Sequence, residues 1–228
     1  TLMEGGDGND VYIINDQPQR ISEAASAGID TIRSDGSVDI SVAQSAFSGE
    51  LENIELTGSA HTNATGNALN NRLTGNAGHN TLIGQDGQDS LFGMGGNDAL
   101  YAGDGPNASA DAVADYLDGG DGADSLYANG ADTLLGGAGD DTLFATTGSN
   151  NQLDGWSGND VYVISAGQRV TETNGNGVDI IRSADNVDMS STQTLLFGEL
   201  ENIELTGSAN VNAIGNALNN RITGNQGD

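Results

Sequence analysis

The sequence contains no cysteine and no lysine, and only two prolines and one tryptophan in 228 residues. Because cysteine is absent, disulfide frameworks and thiolate metal sites are excluded. Only six residues are basic, all of them arginine, so the chain lacks the positive surface that nucleic-acid binding requires. The same shortage excludes a polybasic membrane anchor. Membrane insertion is not expected either, since no apolar run approaches the ~20 residues of a membrane-spanning helix.

Acidic residues and glycine are abundant. The chain has 33 acidic residues, mostly aspartate, 35 glycines and a formal net charge of -27. Such a charge repels itself in a compact state unless it is neutralised. Short carboxylates in glycine-rich turns suit a hard divalent cation such as Ca²⁺. The alternative, an acidic disordered chain, is argued against by the periodicity of the sequence.

A nine-residue unit recurs along the chain. Clean copies span 5–13, 119–127 and 136–144, and looser copies start at Gly84, Gly93 and Gly155. Each unit is predicted to form a six-residue turn and a three-residue strand, with glycines permitting positive φ. Three-residue strands are not stable alone, so the copies must stack as in a solenoid. The eighth position is apolar and predicted to face inward at Tyr12, Leu82, Leu91, Leu100, Leu117, Leu126, Leu134, Leu143 and Tyr162.

Two units are predicted to complete one coil, so turns on one side recur about every 18 residues. The sixth positions then form two rows. One is predicted to contain Asn71, Asp89, Asn107, Asp124, Asp141 and Asp160, and the other Asn80, Asp98, Asp115, Asp132 and Asn150. Carboxylates stacked at the ~4.8 Å strand spacing repel strongly unless a cation lies between them. Because the only basic residue within 66–163 is Arg72, metal must supply the positive charge.

The tandem Gly-Gly-x-Gly-x-Asp-x-apolar-x units resemble the nonapeptide repeats of RTX (repeats-in-toxin) proteins. The resemblance implies an all-β, Ca²⁺-dependent parallel β-roll, or β-solenoid, with interspersed β-rich spacers. In that family each Ca²⁺ lies between consecutive turns on one side. It is bound by carbonyls at positions one and three and the aspartate of one turn, and by carbonyls at positions two and four and the aspartate of the next.

On this chain, the resemblance implies two strongest sites. In the first, Gly119, Asp121 and Asp124 would face Gly137, Gly139 and Asp141; in the second, Gly136, Ala138 and Asp141 would face Trp156, Gly158 and Asp160. Further metal-binding carboxylates are expected at Asp10, Asp89, Asp98, Asp115 and Asp132. Units with Asn71, Asn80, Asn107 or Asn150 bring no charge, and the unit 110–118 lacks the glycines, so sites there are expected to be weak or empty.

A second repeat has a period of 149 residues. Segments 20–79 and 169–228 are identical at 36 of 60 positions, and the block 49–60 recurs unchanged as 198–209. The predicted organisation is the end of a preceding roll (1–13), a spacer (14–65), a roll (66–163), a second spacer (164–214) and the start of the next roll (215–228). The chain is expected to be a window from a longer array.

The spacers are predicted to continue the coil with longer, metal-free turns. Strands are expected at 20–22, 29–33, 38–40 and 51–57. Arg33 and Arg72 either pair with one of Glu50, Glu52 and Glu55 or are solvated. The spacers are also where a carbohydrate or another surface ligand would bind. Trp156, which replaces a turn glycine, would cap the roll or stack on the following spacer.

Catalysis has little support in the sequence. The two histidines, His61 and His79, are replaced by Asn210 and Asp228 in the second copy, which is typical of surface residues. The chain is therefore predicted to be a non-enzymatic, calcium-binding structural module of a secreted, repetitive bacterial surface protein: an adhesin, an S-layer-like protein or a filament. Its expected partners are neighbouring repeats or head-to-tail copies of itself. The alternative is the non-catalytic RTX portion of a type I-secreted enzyme such as a protease, lipase or alginate epimerase.

Overall fold

A computed structural model describes residues 2–15, 19–23, 28–41, 46–105, 113–172, 176–190 and 195–227. All the regular structure in these ranges is β, and they include no helix that could cross a membrane. The strands are β1 (Leu2–Met3), β2 (Val11–Ile14), β3 (Arg20–Ser22), β4 (Thr31–Ser34), β5 (Val38–Asp39), β6 (Phe47–Ser48), β7 (Asn53–Leu56), β8 (Ala64–Thr65), β9 (Arg72–Thr74), β10 (Thr81–Ile83), β11 (Ser90–Phe92), β12 (Ala99–Tyr101), β13 (Tyr116–Asp121), β14 (Ser125–Tyr127), β15 (Thr133–Ala138), β16 (Thr142–Ala145), β17 (Gln152–Ser157), β18 (Val161–Ile164), β19 (Arg169–Glu172), β20 (Ile180–Ser183), β21 (Val187–Asp188), β22 (Leu196–Gly198), β23 (Asn202–Leu205), β24 (Ala213–Ile214) and β25 (Arg221–Thr223).

The strands form a parallel β-solenoid, as predicted. The first long sheet has ten strands in the order β2-β4-β7-β9-β11-β13-β15-β17-β19-β22. The second long sheet also has ten, in the order β5-β8-β10-β12-β14-β16-β18-β20-β23-β25. A leading sheet contains β1, β3 and β6, and a trailing sheet contains β21 and β24. Each strand pairs in parallel with the corresponding strand of the neighbouring coil.

Between β9 and β18 the chain alternates strictly between the two long sheets, so two units make one coil, as predicted. The middle residue of each short strand points inward and stacks on its counterpart one coil away, as Leu100, Leu126 and Leu143 do. All three are 0% exposed. Full burial of a leucine side chain contributes roughly 1.5–3 kcal/mol, so this column supplies much of the hydrophobic stabilisation of a chain poor in apolar residues. Every eighth position predicted to face inward is buried.

The spacers contain three strands per coil instead of two. In the first spacer, β3, β4 and β5 are followed by β6, β7 and β8, and the second repeats this arrangement with β19 to β24. In the first spacer, the leading sheet ends at β6 and the second long sheet begins at β5. In the second spacer, the first long sheet ends at β22 and the trailing sheet begins at β21. Each spacer therefore ends one sheet and starts another. The four spacer strands predicted from the sequence are confirmed to within two residues at each end.

One stretch of the roll differs from the prediction. The sequence predicts a strand at the end of the unit that starts at Ala102, but the long connection from β12 to β13 contains no strand among its described residues. Part of this connection, 106–112, lies outside the described residues, and so does Asn107. The unit at Ala102 has Ser109 at its eighth position, so it lacks the apolar residue that would place a strand in the core. Ladder residues on either side of this connection are consequently 26 apart, compared with 18 in the preceding coil and 17 in the following one.

The outer surface shows what the arginines contact. Of the two alternatives left open by the sequence, Arg33 has the carboxylate partner: it forms an ion pair with Glu55 at 2.7 Å, and Arg182 pairs with Glu204 at the same distance. The guanidinium of Arg72 instead lies 3.9 Å from the centre of the Phe92 ring. An arginine over an aromatic face gains a cation–π interaction, so the predicted carboxylate pairing of Arg72 is replaced by this contact.

Candidate metal centre

Two ladders of side-chain hydrogen bonds run along the turns of the roll. In each ladder, the main-chain N–H of one residue donates to a side-chain oxygen of the corresponding residue one coil further on, with N···O distances of 2.7–2.9 Å. The first ladder contains Asn71, Asp89, Asp115, Asp132 and Asn151. The second contains Asn80, Asp98, Asp124, Asp141 and Asp160.

These ladders correct the predicted rows. Asp124 follows Asp98 rather than Asn107, and Asp115 follows Asp89 rather than Asp98. The cause is the long connection between β12 and β13, which advances both ladders by 26 residues at that coil. The prediction for Asn150 is also wrong. Asn150 is exposed with a φ of 64°, while the next residue, Asn151, is buried and accepts the hydrogen bond from Asp132.

The second carboxylate oxygen of each aspartate in the second ladder points to the first glycine of its own turn. Oδ2 of Asp124 and of Asp141 is buried, with no hydrogen-bond partner among the described residues. A Cβ added at Gly119 would overlap Oδ2 of Asp124 and lie 2.5 Å from the carbonyl oxygen of Gly136. The missing side chain of this glycine thus leaves a space in which oxygens from two consecutive turns converge. Such a set of hard oxygen donors fits Ca²⁺.

The electrostatics of the second ladder also favour a cation. Burial raises the pKa of Asp98 to about 7, of Asp124 to about 6 and of Asp141 to about 8. Main-chain hydrogen bonds lower these pKa values, but neighbouring carboxylates raise that of Asp141 further. Desolvation and repulsion both disfavour the charged form, and a divalent cation between the turns would relieve both.

The turns expected to carry the two strongest sites are stacked in the predicted order. Gly120, Gly137 and Trp156 pair in successive strands, as do Asp121, Ala138 and Ser157. The third-position carbonyls of Asp121 and Ala138 accept N–H groups from Gly96 and Gly122 at 2.9 and 2.7 Å, and each has a second lone pair. Four of the other predicted turn residues have positive φ, namely Gly137 (112°), Gly139 (129°), Trp156 (71°) and Gly158 (135°). The indole of Trp156 is 45% exposed.

Asp132 in the first ladder has different surroundings from the aspartates of the second ladder. Its Oδ2 accepts main-chain N–H groups from Asn129 and Gly130 at 2.9 and 3.0 Å. These hydrogen bonds use lone pairs that a metal ion would otherwise need. Asp10, at the sixth position of the clean N-terminal unit, retains a buried Oδ2 without a partner among the described residues.

Sequence reasoning missed that the ladders continue into the spacers. The N–H of Asp160 donates to Asp179, and the N–H of Asp179 donates to Glu201, both at 2.8 Å. In the first copy, Asp30 accepts from the N–H of Asp10, also at 2.8 Å. A signal was present: 28–32 and 177–181 keep the glycine, aspartate and apolar residue of positions four, six and eight of the nonapeptide.

The family model described as RTX calcium-binding nonapeptide repeat (4 copies) matches residues 65–100, 74–107, 109–143, 128–162 and 144–168. No curated protein matches the chain. The matched residues contain the two-sided roll and both hydrogen-bond ladders, including the glycines that open onto the buried Oδ2 atoms. Sequence, fold and site geometry agree that the roll is built from repeats similar to those of the RTX family of calcium-binding nonapeptide repeat proteins.

Proposed function

We propose that this chain is a calcium-binding structural module of a secreted, repetitive bacterial surface protein. Ca²⁺ bound between stacked turns supplies the positive charge that the roll lacks. The observation that carries this proposal is the convergence of buried carboxylate and carbonyl oxygens at Gly119, repeated at Gly136 with Asp141 and Gly155. In this proposal the bound Ca²⁺ makes the roll a rigid structural element, and the roll is assigned no catalytic role.

The two main proposed ions lie between the turns of the second ladder. One is held by the turns of Asp124 and Asp141 and one by those of Asp141 and Asp160, with carbonyl ligands as the family pattern assigns them. Asp98 with Asp124, and Asp89 with Asp115, offer further sites. We rank Asp132 below these because main-chain N–H groups already occupy its Oδ2.

The spacers support the repetitive part of the proposal. Both have three-strand coils, both keep the Arg–Glu pair, and each replaces one sheet by another. A continuous array of rolls and spacers, divided at 14–65 and 164–214, can therefore be built by repeating one 149-residue unit. Secretion through a type I channel, folding outside the cell and location at the cell surface are proposed on the family resemblance.

The proposal is tested by counting bound Ca²⁺ and following the β signal of the chain by circular dichroism. We expect several ions per chain and a β spectrum that EDTA abolishes. A stable β spectrum in EDTA, or no bound Ca²⁺, would contradict the structural role of calcium. The sequence of the complete gene then separates the two biological settings. Many spacer–roll copies support a surface protein, whereas one catalytic domain beside a single roll supports the secreted-enzyme module.

A further inference from the structure

Three carboxylates meet where the roll joins the second spacer. Asp160 ends the last nonapeptide turn, Glu172 ends β19, and Asp179 precedes β20. They are 0%, 4% and 1% exposed, and one carboxylate oxygen from each lies within 4.8 Å of those of the other two. Ligand atoms on one Ca²⁺, each 2.3–2.6 Å from the ion, are at most about 5 Å apart. The three oxygens are thus close enough to bind one ion.

The hydrogen bonds hold each carboxylate by one oxygen. Oδ1 of Asp160 accepts from the N–H of Asp141, and Oδ1 of Asp179 accepts from the N–H of Asp160, both at 2.8 Å. Oε2 of Glu172 accepts from the hydroxyl of Tyr162, which itself accepts the N–H of Gly155 at 2.7 Å.

The second oxygens of two of these carboxylates lack a hydrogen-bond partner among the described residues, which indicates that a ligand binds there. Oδ2 of Asp160 and Oε1 of Glu172 are buried and have no hydrogen-bond partner among the described residues. Leaving charged oxygens buried without a partner destabilises the folded state, so native proteins pair such groups or coordinate metals with them. Neither of the two ion pairs found among the described residues involves this cluster.

We propose that Asp160, Glu172 and Asp179 form a divalent-cation site of the Ca²⁺ type at the junction between roll and spacer. This site differs from the nonapeptide sites because one ligand is a glutamate from the spacer. At Gly119 and Gly136, a carbonyl oxygen of the following turn lies beside the first glycine. At Gly155, the hydroxyl of Tyr162 takes this place, 2.7 Å from where a Cβ on Gly155 would lie. The site deepens the proposed calcium role and assigns a cation to a region where the sequence predicts metal-free turns.

Much of the same hydrogen-bond pattern occurs in the first copy. Tyr12 donates to Glu23, its hydroxyl accepts the N–H of Gly5 at 2.8 Å, and the N–H of Asp10 donates to Asp30. Glu23 and Asp30 are each left with a buried oxygen without a partner in the described part of the chain. Among the described residues, only Asp160, Glu172 and Asp179 bring three carboxylate oxygens within 4.8 Å of one another. A cation there would fix the angle between roll and spacer, because its ligands come from both.

The test is the number of Ca²⁺ ions bound by the whole chain, measured by equilibrium dialysis at the concentration that just saturates the parent. Glu172→Gln should lose one ion per chain while keeping the β spectrum. Glu204→Gln is the matched control, since Glu204 lies in the same spacer but is exposed and paired with Arg182, and it should bind as many ions as the parent. An unchanged count in Glu172→Gln would overturn the site.

A second measurement does not depend on how the variant folds. Crystals of the parent chain grown with Mn²⁺ should show an anomalous peak between the three carboxylates. Peaks in the roll turns with none at this junction would overturn the inference and leave the proposed function standing. No peak anywhere in the chain would overturn both.

Discussion

Asp141 links two neighbouring turns of the second ladder. Its Oδ1 accepts the N–H of Asp124, and its own N–H donates to Oδ1 of Asp160, both at 2.8 Å. Its Oδ2 is buried without a hydrogen-bond partner among the described residues. Each aspartate of the ladder therefore contributes to two proposed ion sites, one between its turn and the preceding turn and one between its turn and the following turn. Binding of one ion should consequently affect the affinity for the next.

This relationship predicts unequal effects of two aspartate substitutions. Asp141→Ala should lose more bound Ca²⁺ than Asp104→Ala, because Asp141 serves two proposed sites whereas Asp104 is exposed in the long connection. Calorimetric titration of both variants and the parent measures the stoichiometry. Equal losses would show that the assignment of ions to the second ladder is wrong.

Removal of calcium should unfold the roll. The stacked leucines are its main apolar contribution, and uncompensated carboxylates at ~4.8 Å spacing oppose it. Without Ca²⁺ the radius of gyration should rise from about 17 Å, expected for a compact chain of this length, towards the ~50 Å of an unfolded one. Small-angle scattering with and without a chelator measures this change; a radius insensitive to the chelator would contradict it.

The raised carboxyl pKa values predict a pH dependence for the calcium-free chain. Unfolded aspartate has a pKa of about 3.9, whereas burial raises the folded pKa of Asp124 to about 6, of Asp98 to about 7 and of Asp141 to about 8. Between these limits the folded state binds more protons than the unfolded state, so its stability falls as pH rises. The metal-free chain should gain β signal when the pH is lowered from about 8 to about 5.

Dichroism of a dialysed, chelator-free sample over this pH range is the measurement, and the Ca²⁺ affinity should fall over the same range because protons compete for the same oxygens. A calcium-free chain that loses β structure on acidification would contradict the proposed burial of these carboxylates.

The nine-residue period was sufficient to predict the core. Leu126 and Leu143 occupy the eighth position of glycine-rich units, and alternation within a three-residue strand leaves only the middle side chain facing inward. The turn geometry was predictable for the same reason. The ladder order was not, because the count of nine continued through 102–115, although the unit starting at Ala102 has Ser109 rather than an apolar residue at its eighth position.

The junction cluster was also beyond the reach of the repeat pattern. Glu172 lies in a spacer strand and comes near Asp160 and Asp179 only because β19 pairs with β17 while β20 pairs with β18. Such proximity depends on how long each spacer turn is, and no nine-residue rule specifies those lengths. The retained Gly-x-Asp-x-Ile patterns at 28–32 and 177–181 were the only local indication.

A pair of glycine substitutions should separate backbone strain from crowding. Gly137 has a φ of 112°, and a Cβ there would overlap the carbonyl oxygen of Gly120. Gly6 has a φ of 88° with nothing within 4 Å of an added Cβ. Gly6→Ala should cost about 1 kcal/mol from strain alone, and Gly137→Ala should cost clearly more because adjacent turns must also separate. Thermal unfolding in saturating Ca²⁺ measures both, and similar losses would refute the close stacking of the turns.

The two ends of the solenoid predict how copies associate. β25 is the outer strand of the second long sheet, and its three residues are exposed, while β2 is the outer strand of the first long sheet at the opposite end. Unpaired parallel edges recruit other strands, and because the two ends differ, their contact is heterologous and leads to filaments rather than closed rings.

Ile222→Lys should place a charge on the β25 edge and suppress this association. Met94→Lys, at a residue that is 56% exposed on a turn of the roll, is the control and should associate like the parent. The measurement is sedimentation and electron microscopy in Ca²⁺ at rising protein concentration. The parent and Met94→Lys should form linear oligomers, and Ile222→Lys should not. Discrete two-fold dimers would contradict head-to-tail assembly.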